Sequence, residues 1–388
     1  MGSNKFYVNR LNHNILTEQT SVVRFLDKGI HFQEYKEALV SLDSYGCFIN
    51  GEFLQNTAFY ENFNTVKNTP KENYKNVLSN CIYIGCFAST WGHWLTDTLK
   101  KIWFLKTYEC KKKISQGWKI IFISLNDGGN LFVNHKMSTN QKELLKLADI
   151  DVDSWLEVKE NTIIHNLVIP DNSLIHTPSK GMYFTKEFKE TIHNITISIP
   201  EIKGYEKVYF TRTSLNSTKD FGERQVERLF AKKGYKIIEP EKISVLEQIS
   251  ILKSCVFFAG CESSTSHNSI FCKPGTNVII LRKADYVNEY TLVINQIADL
   301  NAIFIDAHHS VFANKKIPAF GPFFMYVTSF LKEWAGIKQK NIPYWLSITW
   351  FKYVFYGKHN KFFKQTDFYL CIRYPRYFFG KIKLLLGL

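Results

Sequence analysis

The stretch CVFFAGCESSTSHNSIFCKPGTNVIIL, residues 255–281, decides the fold. Its opening VFFAG is an uncharged run of the kind carried by a strand buried on both faces. The run stops at Gly260, and Ser263, Ser264, Thr265 and Ser266 then lead into a helical STSHNSIF. Pro274 and Gly275 turn the chain into a second apolar run, NVIIL. Strand, small-residue loop, helix, turn and strand make a βα unit. Parallel strands need such crossover connections, so this grammar predicts a parallel sheet with packed helices.

The same grammar extends outward. KVYFT (207–211) reads as a strand, residues 222–233 as a charged amphipathic helix, YKIIEP as a strand and SVLEQISILKS as a helix. NAIFID supplies a further strand. This series of about 100 residues suffices for one Rossmann-like domain. Upstream, CIYIG (81–85) precedes WLTDTLKKIWFLKTY, in which Trp94, Leu95, Thr98, Leu99, Ile102 and Leu105 recur at helical spacing. WKIIFISL, a polar loop, the helical QKELLKLA, and weak strands in WLEVKE and TIIHNLVIP follow. Residues up to about 75 mix strand-like pieces with turns and are assigned only loosely. IPEIKGYEK, with its Pro, Gly and charges, marks a boundary. The expected class is α/β, with domains at 1–200 and 201–317 and a helical segment at 318–388.

A chain of 388 residues is long for one core, which agrees with two domains. The 49 Lys and Arg against 35 Asp and Glu leave a formal charge of +14, which asks for an anionic partner: nucleic acid, anionic lipid or a phosphorylated substrate. None of the eight cysteines forms a C-x-x-C pair, and several sit in apolar runs, so buried free thiols in a reducing compartment are expected. The N-terminus lacks an apolar signal core, and Phe6 stands where a myristoylation motif wants Ser or Thr. No uncharged apolar run approaches the roughly 18 residues of a spanning helix. The expectation is a cytoplasmic protein, soluble or peripherally attached.

Much of the charge lies in the tail. From Lys338 onward there are ten Lys or Arg against one acid, Asp367, which supplies nine of the fourteen net positive charges. Fifteen aromatics lie between Tyr344 and Phe379, interleaved with cations. Rings and cations together suit a bilayer interface, where rings lie at headgroup depth and cations meet anionic lipid. Packing onto the N-terminal domain and nucleic-acid binding are the alternatives. Nucleic acid is the least expected partner, because the charge is concentrated outside the two sheet-forming halves.

The loop after Gly260 carries the chemistry. A strand-to-helix turn exposes backbone N–H groups and small hydroxyls, and the helix dipole favours negative charge there. A nucleotide diphosphate fits such a turn, and so does simple helix capping by serines.

The ordered set VYFTRTS with Arg212, then GERQVERLFAKKGYKIIEPEKISVLEQISILKSCVFFAGCESSTSHNSIFCKPG, resembles glycosyltransferase family 61 over roughly 207–283. Upstream, GHWLTDTLKKIWFL resembles the family's His-Trp-Leu-x-Asp segment. The resemblance covers about half the chain. It departs from the family where Glu262-Ser263-Ser264 replaces the usual His-Gly-Ala or His-Gly-Ser, with a His only at His267. The resemblance implies a transferase of the GT-B type, with two Rossmann-like domains facing across a cleft. It also implies an inverting, metal-independent reaction from a nucleotide-sugar. The acceptor it implies is a lipid-linked capsular or surface glycan of a bacterium, on the inner face of the cell membrane. A pyruvyl or phosphoryl transferase on the same fold, or a non-catalytic nucleic-acid-binding protein, would share some of these features.

On this reading Arg212 neutralises donor phosphates or pairs with an acid. Gly260, Glu262, Ser263, Ser264, His267 and Asn268 form the rest of the donor site, Glu262 toward sugar or ribose hydroxyls and the serines toward phosphate. Gln248 is more naturally scaffold. His93 and Asp97, four apart on one helical face, are the candidate base and its orienting acid; the alternative is a capping His93 and an Asp97 paired with Lys100 or Lys101. Asp149-Ile-Asp-Val-Asp153 follows a helical run and enters a loop, the wrong setting for a donor-bound metal. No metal or other cofactor is expected.

Overall fold

The computed structural model describes residues 3–59, 74, 76–88, 90–124, 137–177, 181–215, 220–338 and 344–386. The polar loop after WKIIFISL lies outside them. The chain divides into two compact units. One comprises Met1–Glu18, Glu201–Thr291 and Asp299–Leu388; the other comprises Gln19–Pro200 and Leu292–Ala298.

The unit of the second half holds a six-stranded, wholly parallel sheet. Its order is Lys236–Ile238, Lys207–Phe210, Phe257–Cys261, Asn277–Arg282, Asn301–Asp306 and Asn4–Tyr7. Counting from Lys207, the first five run 2-1-3-4-5, a doubly wound order. The order reverses between Lys207–Phe210 and Phe257–Cys261, so the crevice of such a sheet opens at the carboxyl ends of these two strands. The runs read as buried strands are buried: Phe210, Phe258, Ile280 and Phe304 are all sealed from solvent. Each such side chain contributes roughly 1.5–3 kcal/mol.

Two boundaries differ from the sequence reading. The Phe257–Cys261 strand runs one residue past Gly260, because Gly260 and Cys261 stay paired with Ile280 and Leu281. The first strand, Asn4–Tyr7, belongs to this sheet and not to a 1–200 domain, since it pairs with Ala302–Ile305. Asn12 and the backbone N–H of Asn9 then donate to the Asp306 carboxylate, which ties the segment down.

The other unit holds a seven-stranded sheet in the order Glu52–Leu54, Gly46–Ile49, Phe32–Ser41, Thr162–Pro170, Asn76–Phe87, Lys119–Ser124, Leu156–Glu157. Only its second half is parallel; the first three strands form an antiparallel meander, and Phe32–Ser41 pairs antiparallel with Thr162–Pro170. The sheet of this half is therefore mixed, parallel from Thr162–Pro170 to Leu156–Glu157 as expected and antiparallel where the sequence reading expected no meander. The loosely assigned residues 32–54 are joined by turns too short for a crossover helix, and short turns dictate antiparallel pairing. Cys47, Cys81, Tyr83, Cys86, Ile121, Ile164 and Leu167 fill the core beneath.

The tail is helical at Ile348–Gly357, Asp367–Arg373 and Pro375–Leu386. Tyr353 and Phe363 are buried against Phe312 and Phe324, with Tyr344, Trp350 and Phe368 around them. The sequence reading gives a packed tail the N-terminal domain as partner. The partner found is its own unit, because Phe312 and Phe324 offer the aromatic surface that its inward rings fill. All eight cysteines are free thiols, and all but Cys371 are buried, as expected.

Candidate active site

At the carboxyl edge of the parallel sheet, Arg212 follows the first strand by two residues, and Glu262 stands two beyond Gly260, the partner of Phe210. The two therefore leave the sheet side by side at its reversal. Arg212 does pair with an acid: its Nη1 is 3.0 Å from Asp220 Oδ2. The other oxygen of Asp220 lies 3.3 Å from Lys283 Nζ, at the end of the Asn277–Arg282 strand. One carboxylate thus holds two cations, and the group keeps a net positive charge. Lys283 also sits 4.1 Å over the Phe323 ring.

Beneath them Glu223 is buried and accepts hydrogen bonds from the Arg212 backbone N–H and the Tyr209 hydroxyl, both at 3.1 Å. Burial raises its pKa, against the lowering effect of the Arg212 N–H. Gly222, at φ +94°, opens the Glu223–Lys232 helix here. A side chain on it would overlap the Met325 carbonyl, so only glycine fits this close approach.

Arg212, Asp220 and Gly222 line a cavity of about 840 Å³ whose wall also carries Arg224, Arg228, Lys332 and Lys352. Tyr344, Ile348 and Thr349 of the tail complete it. Five cations face a space of nucleotide size, with Asp220 and Glu223 as its carboxylates. Such a wall suits a di-anionic ligand.

The remaining candidates form a second cluster and are not among the residues lining that cavity. Ser263 caps a single turn, Ser264–His267, and exchanges hydrogen bonds with Ser266. Glu262 is buried and accepts the Asn288 N–H at 3.1 Å, while His267 Nε2 meets Asn288 Nδ2 at 3.2 Å. Burial raises the Glu262 pKa, opposed chiefly by Arg282. Asn268 donates to Gln248, whose own amide donates to the Pro240 and Ile243 carbonyls, so Gln248 is scaffold. Gly260 lies within the strand, where an added Cβ would have ordinary room at 3.5 Å from Phe210 O. Ser263 and Ser264 stay half exposed at the loop surface.

In the other unit, His93 Nδ1 is 2.9 Å from Asp97 Oδ2. His93 is 29% exposed and Asp97 only 7%. Thr96 Oγ1 donates to the same Asp97 oxygen at 3.0 Å, which fixes the carboxylate. Between the two residues the helix widens to a π turn, Trp94–Thr98, a distortion frequent at functional sites. With Nδ1–H donated to the carboxylate, the neutral imidazole carries its lone pair on Nε2, as a general base requires. Lys100 turns away to the carbonyls of Ala58 and Phe59, and Lys101 donates to Pro170 O. Trp94, Leu95, Thr98, Leu99, Ile102 and Leu105 are all buried, as their spacing predicts, but so are Thr96, Asp97, Lys100 and Lys101.

Sequence reasoning missed several charged groups. Arg282 is wholly buried; its Nε donates to Asp306, its Nη2 to the Ala284 and Tyr286 carbonyls. His308 spans the Arg282 carbonyl and Asp285 with its two ring nitrogens, and Asp285 also takes Ser310 and Lys315. With both nitrogens engaged, His308 is structural. The Asp149–Asp153 run enters a turn after its helix, as expected, and Asp149 and Asp153 pair with Lys106 and Lys142. Among the described residues, no cluster of three or more His, Cys, Asp or Glu has metal-holding geometry.

The sequence matches the family model described as Glycosyltransferase 61 over residues 91–279. The match begins two residues before His93 and takes in Asp97, Arg212 and the whole 260–268 loop. The chain belongs to glycosyltransferase family 61. It is therefore a glycosyltransferase, an enzyme with a sugar donor and an acceptor. Comparison with curated proteins returns no match. Lys283 and the aromatic tail lie beyond the stretch that matches the family 61 model.

Proposed function

We propose that this glycosyltransferase is an inverting, metal-independent enzyme of the GT-B type that takes its sugar from a nucleotide-sugar. The acceptor is a growing, lipid-linked capsular or surface polysaccharide at the inner face of the cell membrane. The observation that carries the donor assignment is Arg212, held with Lys283 by the single Asp220 at the reversal of a doubly wound sheet, with Arg212 and Asp220 on the wall of a cation-lined cavity. Negative charge accumulates on the leaving diphosphate as the sugar's C1–O bond breaks, and fixed cations and N–H groups there lower the barrier. Ser263, Ser264 and the turn they start offer further donors. Glu262, His267 and Asn268 shape the loop, through Asn288 and Gln248. In the acceptor step, the hydroxyl oxygen attacks C1 as His93 Nε2 takes its proton and Asp97 supports the imidazolium. The cavity's own cations supply the charge a metal would otherwise bring.

A thermal-shift screen of chelator-treated protein against UDP, GDP, CMP and their sugar conjugates tests this. A ligand confined to the folded state raises the melting temperature. One nucleotide family should stabilise the wild type, with the effect lost in Arg212→Ala and partly kept in Arg212→Lys. Stabilisation by a non-nucleotide donor alone, such as a pyruvyl or phosphoryl compound, would overturn the donor assignment.

A further inference from the structure

We propose that the outer face of the tail is a docking surface for an anionic lipid bilayer. On the Ile348–Gly357 helix, Thr349, Tyr353 and Gly357 point inward and are buried. The opposite face would be polar on an ordinary surface helix. Instead Ile348, Phe351 and Phe355 are 68%, 64% and 47% exposed, so the uncovered side of this helix is largely apolar too. The preceding turn adds exposed Trp345 and Leu346. Tyr356 continues the face, and Phe351 stacks on Phe355 with centroids 6.1 Å apart. Ile372, Tyr374, Phe378 and Phe379 are likewise exposed further on.

Charge selects the occupant. Lys352, Lys358, Lys361 and Lys364 are exposed around the first helix, and Arg373, Arg376 and Lys383 around the later ones. The one acid of the segment, Asp367, is buried and receives the Tyr377 hydroxyl and Lys381. Among the described residues of the tail the face is thus apolar and cationic with no exposed carboxylate, complementary to anionic headgroups above acyl chains. Aliphatic Leu346, Ile348 and Ile372 among the rings favour a hydrocarbon boundary over stacked bases. No helix among the described residues is long and apolar enough to cross a membrane, so the protein would lie on the surface through this face. The same helix lends Ile348, Thr349 and Lys352 to the cavity wall, which places the cavity beside the lipid.

The test is flotation of the full chain with phosphatidylcholine vesicles, with and without phosphatidylglycerol. Variants are Phe351→Ser/Phe355→Ser and Lys358→Glu/Lys361→Glu. Each cation near the surface is worth on the order of fivefold in binding. The expected result is binding to anionic vesicles only, weakened at least about tenfold by either double variant and by added salt. Both variants should keep the wild-type melting temperature and any nucleotide-induced shift, since none of these four residues lines the cavity. Failure of vesicle binding with nucleotide stabilisation intact would overturn the docking surface and leave the donor site standing. So would vesicle binding unchanged in the variants, or a single-stranded RNA that binds this face in preference to the vesicles.

Discussion

The two ends of the Glu223–Lys232 helix offer a controlled test of the geometry beneath the cavity. Gly222 at its start has φ +94° and Gly234 just past its end has φ +84°. Replacing either by alanine forces a side chain into the left-handed region, at about 1–2 kcal/mol. Either change also removes the same freedom from the unfolded chain, so that term cancels between them. The surroundings differ. A Cβ at Gly234 meets nothing within 4 Å, whereas at Gly222 it overlaps the Met325 carbonyl and comes 2.8 Å from Thr349 Cγ2. Met325 cannot retreat freely, since its N–H donates to Phe221 O at 2.8 Å. Overpacking of this kind adds about 1–3 kcal/mol. At about 2–4 °C per kcal/mol for a unit of this size, Gly222→Ala should melt about 2–12 °C below Gly234→Ala. Differential scanning fluorimetry of both variants reads the difference directly. Gly222→Ala should also blunt nucleotide stabilisation, because its strain is released into Glu223 and the Arg212 backbone. Equal melting of the two variants would refute the close approach, and with it the packing that sets Arg212.

Other consequences are as direct. Asp97→Asn keeps the shape but not the charge behind His93; losing a hydrogen bond to a charged group costs about 1.5–3 kcal/mol, so transfer should fall by about 10- to 100-fold, less than for His93→Ala. Steady-state rates settle it, and a loss in Asp97→Asn no smaller than in Asp97→Ala is expected if charge is what matters; wild-type rates in Asp97→Asn would leave Asp97 without its electrostatic role. Glu223 has a raised pKa, so its unfolded carboxyl ionises first, and stability is lost as pH climbs from its ordinary 4.5 through the folded value. Glu223→Gln, which can still accept both hydrogen bonds, should erase that decline, and melting curves between pH 4 and 8 should show the variant gaining on the wild type. Asp285 behaves oppositely: despite burial, hydrogen bonds from His308, Lys315 and Ser310 hold its pKa well below the usual carboxylate range. Its stabilisation is present above about pH 4 and lost as pH falls, so Asp285→Asn should cost about 1.5–3 kcal/mol at neutral pH in chemical denaturation, the gap closing in acid.

What the sequence disclosed follows from where its signals are local. The runs VFFAG and NVIIL are buried on both faces from Phe258 and Val278 onward, so their parallel pairing and the loop between them were legible. Helical spacing likewise brought His93 and Asp97 together. What escaped depends on distant pairing. Asp220 reaches Arg212 because Asp220–Phe221 forms a short ladder with Phe323–Phe324, a hundred residues on. Nothing in NKFY marks it as the sixth strand of a distant sheet. The meander of residues 32–54 has runs too short and mixed to show their direction. In the loop, His267 and Asn268 face Asn288 and Gln248, contacts no spacing rule supplies. In the tail, composition shows rings and cations but not which rings face Phe312 and which face outward.

Transfer from a nucleotide-sugar is the central claim, and acceptor-dependent release of nucleotide tests it most directly. The stabilising sugar conjugate is incubated with the enzyme, in chelator, with and without lipid-linked glycan, and the product's anomeric configuration is read by NMR. Nucleotide release is expected only with acceptor, together with an inverted linkage, and both should be lost in His93→Ala and Arg212→Ala. Release indifferent to the acceptor, or a retained configuration, would contradict the proposed reaction.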